Sequence, residues 1–284
     1  MGFASVMATG IISVAASELG LRVVSWAFAG TAFVFYGALV ALAAHRRYVP
    51  PGVDAFAVVA ATAVIGSRLA LAGAHLAAAF LLLTAVAIWL MVWAALLREL
   101  DLGASTGTRL LAVVSTQSLA ILASLTAHSL ARPALAVFVF GLLLYPWVLR
   151  QLPASELRSG DGDVWIAMGA LAISALAAAR LAPQLGSSTL QELAFVLWLG
   201  ATCWIPVLVA AELRWPRARF EPKRWSTVFP IGMYAAASVD IERFDGLPSL
   251  TTARVCLWIA ISMWALTVFG ALLKAVRPRF RPDE

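Results

Sequence analysis

Apolar residues run along this chain in continuous stretches of about 20, broken by short polar segments. The stretches predict helices near 2–18, 24–44, 55–73, 76–96, 110–128, 133–149, 164–181, 192–212, 225–241 and 251–275. That length crosses the hydrocarbon core of a bilayer. The runs are apolar throughout and do not alternate with period two, which speaks for helices and against a barrel. The expected fold is an all-α membrane protein with ten transmembrane helices in a single domain spanning 1–284.

Composition agrees. The chain is 62% hydrophobic and 13% charged, against about 25% charged residues in soluble domains. Its mean hydropathy is +0.89. A net charge of +6 would suit a nucleic-acid partner, but the basic residues sit between apolar runs, so the positive-inside rule explains them and no nucleic acid is expected. Fifteen of the twenty-one Lys and Arg follow even-numbered stretches or lie in the C-terminal tail: Arg46, Arg47, Arg98, Arg109, Arg150, Arg158, Arg214, Arg217, Arg219, Lys223, Arg224, Lys274, Arg277, Arg279 and Arg281. Both termini are therefore expected in the cytoplasm of a multi-pass cell-membrane protein. Met1 to Ala16 has no basic leader and reads as a short first span, not a signal peptide. Cys203 and Cys256 lie inside apolar runs without metal-ligand spacing, so no metal or cofactor is expected.

The ten stretches fall into two kinds. Even-numbered ones hold most of the aromatics, among them Trp26, Tyr36, Trp89, Trp93, Tyr145, Trp198, Trp204 and Trp264. Odd-numbered ones are richer in small and hydroxylated residues. Aromatics suit a lipid-facing position, and small or hydroxylated residues suit close packing or a wet lumen. Five hairpins with odd helices inside and even helices outside is the economical arrangement. On that arrangement Thr9, Ser13, Thr62, Ser115, Thr116, Ser174 and Gly232 are expected to line a lumen. The plain alternative for each hydroxyl is a bond to its own helix backbone.

Two segments carry a resemblance. Ser5-Val-Met-Ala-Thr-Gly-Ile-Ile-Ser13 and Trp225-Ser-Thr-Val-Phe-Pro-Ile-Gly-Met-Tyr-Ala-Ala-Ala-Ser238 resemble the tellurite-resistance/dicarboxylate transporter family, which includes malate permeases, sulfite pumps and slow anion channels. The resemblance implies five hairpins around a central pore, a homotrimer, and a phenylalanine plug in the ninth span, matched here by Phe229. It also implies small anions as partners: C4-dicarboxylates, chloride, nitrate, sulfite or tellurite. Malate-type dicarboxylates are nearest in wording.

Pro230 removes a backbone donor, so the ninth span is expected to kink near Ser226, beside Phe229. A phenylalanine there suits a dry constriction. Each hairpin carries arginine near its external end, and Arg68 and Arg180 are the candidates for drawing anions to the mouth. Nearby Glu18, Glu192, Asp240, Glu242 and Asp245 offer them pairing partners instead. No carboxylate lies mid-span, where proton-coupled pumps place one, which favours passive conduction. Neither a nucleophile–base pair nor a metal cluster is present, so an enzyme is not expected. The remaining alternative is a structural or sensory helical bundle without transport.

Overall fold

The computed structural model describes residues 2–46, 54–99, 106–153, 155–156, 162–216, 221–245 and 249–276. Ten long helices follow in order: α1 (Phe3–Glu18), α2 (Arg22–Arg46), α3 (Ala55–Leu71), α4 (His75–Glu99), α5 (Leu111–Thr126), α6 (Ala131–Leu149), α7 (Trp165–Leu185), α8 (Ser188–Arg214), α9 (Trp225–Asp245) and α10 (Ser249–Val276). Short helical turns at Thr106–Arg109, Gly162–Val164 and Pro222–Arg224 precede α5, α7 and α9. Among the described residues no strand occurs. The basic residues Arg47, Arg158, Arg217, Arg219, Arg277, Arg279 and Arg281 lie outside the described residues.

Among the described residues six helices are long and apolar enough to cross a membrane, namely α2, α4, α6, α7, α8 and α10. Of the other four, α1, α3 and α5 are shorter, and α9 has 21 residues but a charged C-terminal end. Helices α1 and α5 have 16 residues each, about 24 Å at 1.5 Å per residue, short of the roughly 30 Å hydrocarbon core. α9 ends in Asp240, Glu242, Arg243 and Asp245.

Burial explains the difference. The apolar window of α7 is 94% buried, against 11% in α2 and 17% in α10. α1, α3 and α5 are likewise buried along most of their length. A helix packed against protein on every side need not match the bilayer in length or apolarity, because neighbours and not lipid solvate it.

The buried odd helices touch one another in the cyclic order α1, α3, α5, α7, α9 and back to α1. Each even helix lies against its odd predecessor and also contacts the next odd helix in the cycle: α2 on α3, α4 on α5, α6 on α7, α8 on α9 and α10 on α1. The seams are close where small residues meet bulk. A Cβ on Gly232 of α9 would stand 2.9 Å from Ile11 Cγ2 of α1.

Candidate functional site

A small cavity, with room for about one water, lies where all five odd helices meet. Its wall is Ile11 and Val14 of α1, Val64, Ser67 and Leu71 of α3, Ser118, Ile121 and Leu125 of α5, Ile173, Leu176 and Arg180 of α7, and Met233 of α9. On the four helices that contribute more than one residue the spacing is three or four, the repeat that keeps side chains on one face. Contributions from every member of the cycle put the cavity on the axis of the ring.

Phe229 is buried, 3% exposed, and precedes Met233 by one turn on the same stripe of α9. It shares a face of α9 with the lining residue Met233 but is not itself among the residues that line the cavity. α9 runs helical through Pro230. The proline ring seats against α7, where a Cβ on Gly169 would be 2.9 Å from Pro230 Cγ.

The hydroxyls expected in the lumen are placed otherwise. Trp264 Nε1 of α10 donates to Thr9 Oγ1 at 2.8 Å, and Trp89 Nε1 of α4 donates to Thr116 Oγ1 at 3.0 Å. Tyr36 of α2 meets Thr62 Oγ1 at 2.8 Å, and Trp198 Nε1 of α8 donates to Ser238 Oγ at 2.8 Å. Each of these hydroxyls also donates to the carbonyl one turn earlier: Ser5, Ala112, Val58 and Tyr234 respectively. Thr9, Thr62 and Thr116 are thus turned toward the even helices, for a physical reason. An indole or phenol donor on a lipid-exposed helix needs an acceptor, and a back-bonded hydroxyl supplies a spare lone pair.

The other candidates are also satisfied locally. Ser115 donates to the Ala112 carbonyl at 3.0 Å and Ser174 to that of Ala170 at 2.7 Å. Ser13 donates to the Ser25 carbonyl at 2.7 Å. The hydroxyls that do border the cavity are Ser67 and Ser118; sequence reasoning did not single out Ser67 and Ser118 above their neighbours, because azimuth is not encoded in residue type.

The two arginines part company. Arg68, 4% exposed, donates from Nε to Ser13 Oγ at 3.0 Å and lies over the Trp26 ring at 4.2 Å. It reaches toward α2 and does not border the cavity. Arg180 borders it. Its Nη2 lies 2.6 Å from Glu18 Oε1 and its Nε 2.5 Å from Asp240 Oδ2. Arg243 Nη2 lies 2.6 Å from Glu18 Oε2, and its Nη1 bonds to Asp240 Oδ1. Two arginines and two carboxylates thus join α1, α7 and α9 at their C-terminal ends, with their charges cancelling.

The N-terminal end of the ring has its own polar knot. Asp163, buried before α7, accepts from Ser226 Oγ at 2.9 Å and Thr108 Oγ1 at 3.3 Å, and Lys223 Nζ lies 3.0 Å away. Segments leading into α5, α7 and α9 are tied there through one carboxylate. Partial burial, and then the neighbouring Asp163 charge, push the Asp54 carboxyl above the usual aspartate range, with Lys223 opposing.

The axial cavity is thus walled by all five odd helices, with Arg180 among its lining residues. Residues 2–272 match the family described as voltage-dependent anion channel. The chain belongs to that family. This is the tellurite-resistance/dicarboxylate transporter family to which the sequence motifs pointed. Two relatives in Mycobacterium tuberculosis, from the CDC 1551 and H37Rv strains, are each 32% identical over 154 residues, covering 49% of this chain and 72% of theirs. Both are described only as uncharacterized membrane proteins. Membership in the voltage-dependent anion channel family makes anion transport across a membrane the activity to which the axial cavity is to be referred.

Proposed function

We propose that this chain conducts small anions passively along the axis of the ring, with Phe229 as the gate and Pro230 setting its position. The arrangement is five hairpins, odd helices inside, both termini cytoplasmic in the cell membrane, and three copies forming a homotrimer. The C-terminal ends of the odd helices then form the external mouth. The observation that carries the reading is the cavity itself. All five odd helices contribute to it, and Phe229 lies on α9 one turn N-terminal to the lining residue Met233.

The cavity wall also bears on which anions pass. Nine of its twelve residues are aliphatic or methionine, and the polar members are Ser67, Ser118 and Arg180. Such a wall offers little to replace a hydration shell, and the desolvation cost of an ion rises with the square of its charge. Weakly hydrated monoanions such as nitrate are favoured over chloride. Doubly charged sulfite, tellurite and C4-dicarboxylates, including malate, rank below both. Weak binding of this kind lets an anion leave as readily as it enters.

Reconstitution tests the reading. Wild type and Phe229→Ala in liposomes are compared for flux of nitrate, chloride, malate and sulfite. The expected result is a low wild-type flux, a large rise in Phe229→Ala, and the order nitrate, chloride, then the dianions. Equal leak-level flux in both proteins would remove the gate and the pathway together.

A further inference from the structure

Among the described residues, Arg180 is the one charged residue on the cavity wall, yet its guanidinium is already occupied by two carboxylates of the same chain. Glu18 Oε1 holds Nη2 at 2.6 Å and Asp240 Oδ2 lies 2.5 Å from Nε. The second contact is close but poorly aligned: Arg180 Nε and Asp240 Oδ2 are both buried and neither makes a well-formed hydrogen bond. A carboxylate at a guanidinium has the shape and charge of the ligand that an anion pathway would place there.

We propose that Glu18 and Asp240 are built-in competitors for the permeating anion, and that their hold on Arg180 determines how tightly the outer mouth binds it. This rests on the conduction reading above and specifies the residues that tune it. An entering anion displaces a carboxylate from Arg180 and takes its place. The displaced carboxylate is not stranded, because Arg243 already contacts both Glu18 and Asp240. The Arg243 side chain is 51% exposed, whereas those of Glu18 and Asp240 are 7% and 2% exposed. Arg243 therefore sits at the rim, out of the cavity wall, as a second anchor for the acids.

The exchange keeps the number of ion pairs constant, so the anion is bound weakly and leaves quickly, as conduction requires. It also gives Arg180 a part in selection. A planar oxyanion such as nitrate can accept two parallel N–H bonds from a guanidinium in place of a carboxylate, and a spherical chloride cannot.

The experiment measures nitrate influx into proteoliposomes against external nitrate, for wild type, Glu18→Gln, Arg243→Gln and the double variant. Removing Glu18 frees one edge of Arg180, so the half-saturating nitrate concentration falls, by about threefold to fivefold. Removing Arg243 leaves both acids bearing on Arg180, so it rises. The double variant restores a neutral cluster, and its value stays below wild type because the freed edge, not the overall charge, is what matters. An unchanged or raised half-saturation in Glu18→Gln, or a lowered one in Arg243→Gln, would overturn the proposal. Arg243 is half-exposed and its loss is tolerable to folding, so that variant decides the matter even if Glu18→Gln does not yield folded protein. Wild-type flux without the expected shifts overturns this proposal alone. Absence of nitrate flux from wild type and Phe229→Ala alike would overturn the conduction reading and this proposal with it.

Discussion

Gly169 of α7 is the notch into which Pro230 of α9 fits: a Cβ at 169 would stand 2.9 Å from Pro230 Cγ and 3.2 Å from its Cα. The ring and backbone of a helical proline cannot swing aside as a flexible side chain does, so the two helices meet here only because residue 169 has no side chain. The contact fixes α9 next to Phe229, and thereby links the packing of α7 to the proposed gate.

Gly169→Ala is expected to force α7 and α9 apart, at a cost of about 1–3 kcal/mol. A lowered midpoint of thermal unfolding in detergent, together with raised anion flux, is the expected pair of results. Gly37→Ala serves as the control. Its Cβ would meet nothing within 4 Å, so the stronger helix propensity of alanine leaves stability equal or slightly higher.

The indole-to-hydroxyl bonds predict a coupling between helices. Thr116→Val strands Trp89 Nε1, which donates to Thr116 Oγ1 at 3.0 Å, and destabilises the protein by about 1 kcal/mol. Trp89→Phe removes the donor as well as some packing. In a double-mutant cycle, adding Thr116→Val to Trp89→Phe costs less than adding it to wild type. Additive losses would show that the bond contributes nothing.

Asp54 gives a pH dependence with a defined sign. Its carboxyl is raised above the ordinary aspartate value of 3.8. A raised acid binds its proton more readily folded than unfolded, so this group adds stability below its ordinary pKa and loses it as pH rises through the raised one. Protonation also removes a negative charge near Asp163, at the end of the ring that the proposal places on the cytoplasmic side. Anion entry from that side is therefore expected to increase on acidification through the range just above 3.8, and Asp54→Asn is expected to flatten this component. Flux measured against internal pH in the two proteins checks both statements.

Much of the fold was legible in the sequence. The ten apolar stretches became ten helices, and the aromatic-rich even set became the exposed set, because lipid contact and protein contact demand different side chains. The span lengths were less legible, since a helix enclosed by other helices is released from matching the bilayer, as 16-residue α1 and α5 illustrate. The azimuth of single residues was not legible at all. Thr9, Thr62 and Thr116 sit on helices whose hydroxyls are spread over several faces, so no single polar stripe marks the lumen side. A back-bonded hydroxyl is equally comfortable facing an indole. Arg68 and Arg180 both lie near helix ends in apolar surroundings. One turned to Trp26 and the other to the cavity, where Glu18 and Asp240, noted as possible partners, hold it.

The central claim is a water-accessible axial path enclosed by the odd helices, and cysteine labelling tests it most directly. In a background with Cys203 and Cys256 replaced by alanine, Ile173→Cys places a thiol on the cavity wall and Leu83→Cys places one on the exposed surface of α4. A small, charged, membrane-impermeant thiol reagent added from the external side is expected to modify Ile173→Cys and block anion flux, while Leu83→Cys stays unmodified in the bilayer. An Ile173→Cys protein that is folded yet never reached by the reagent, in either the wild-type or the Phe229→Ala background, would contradict the account.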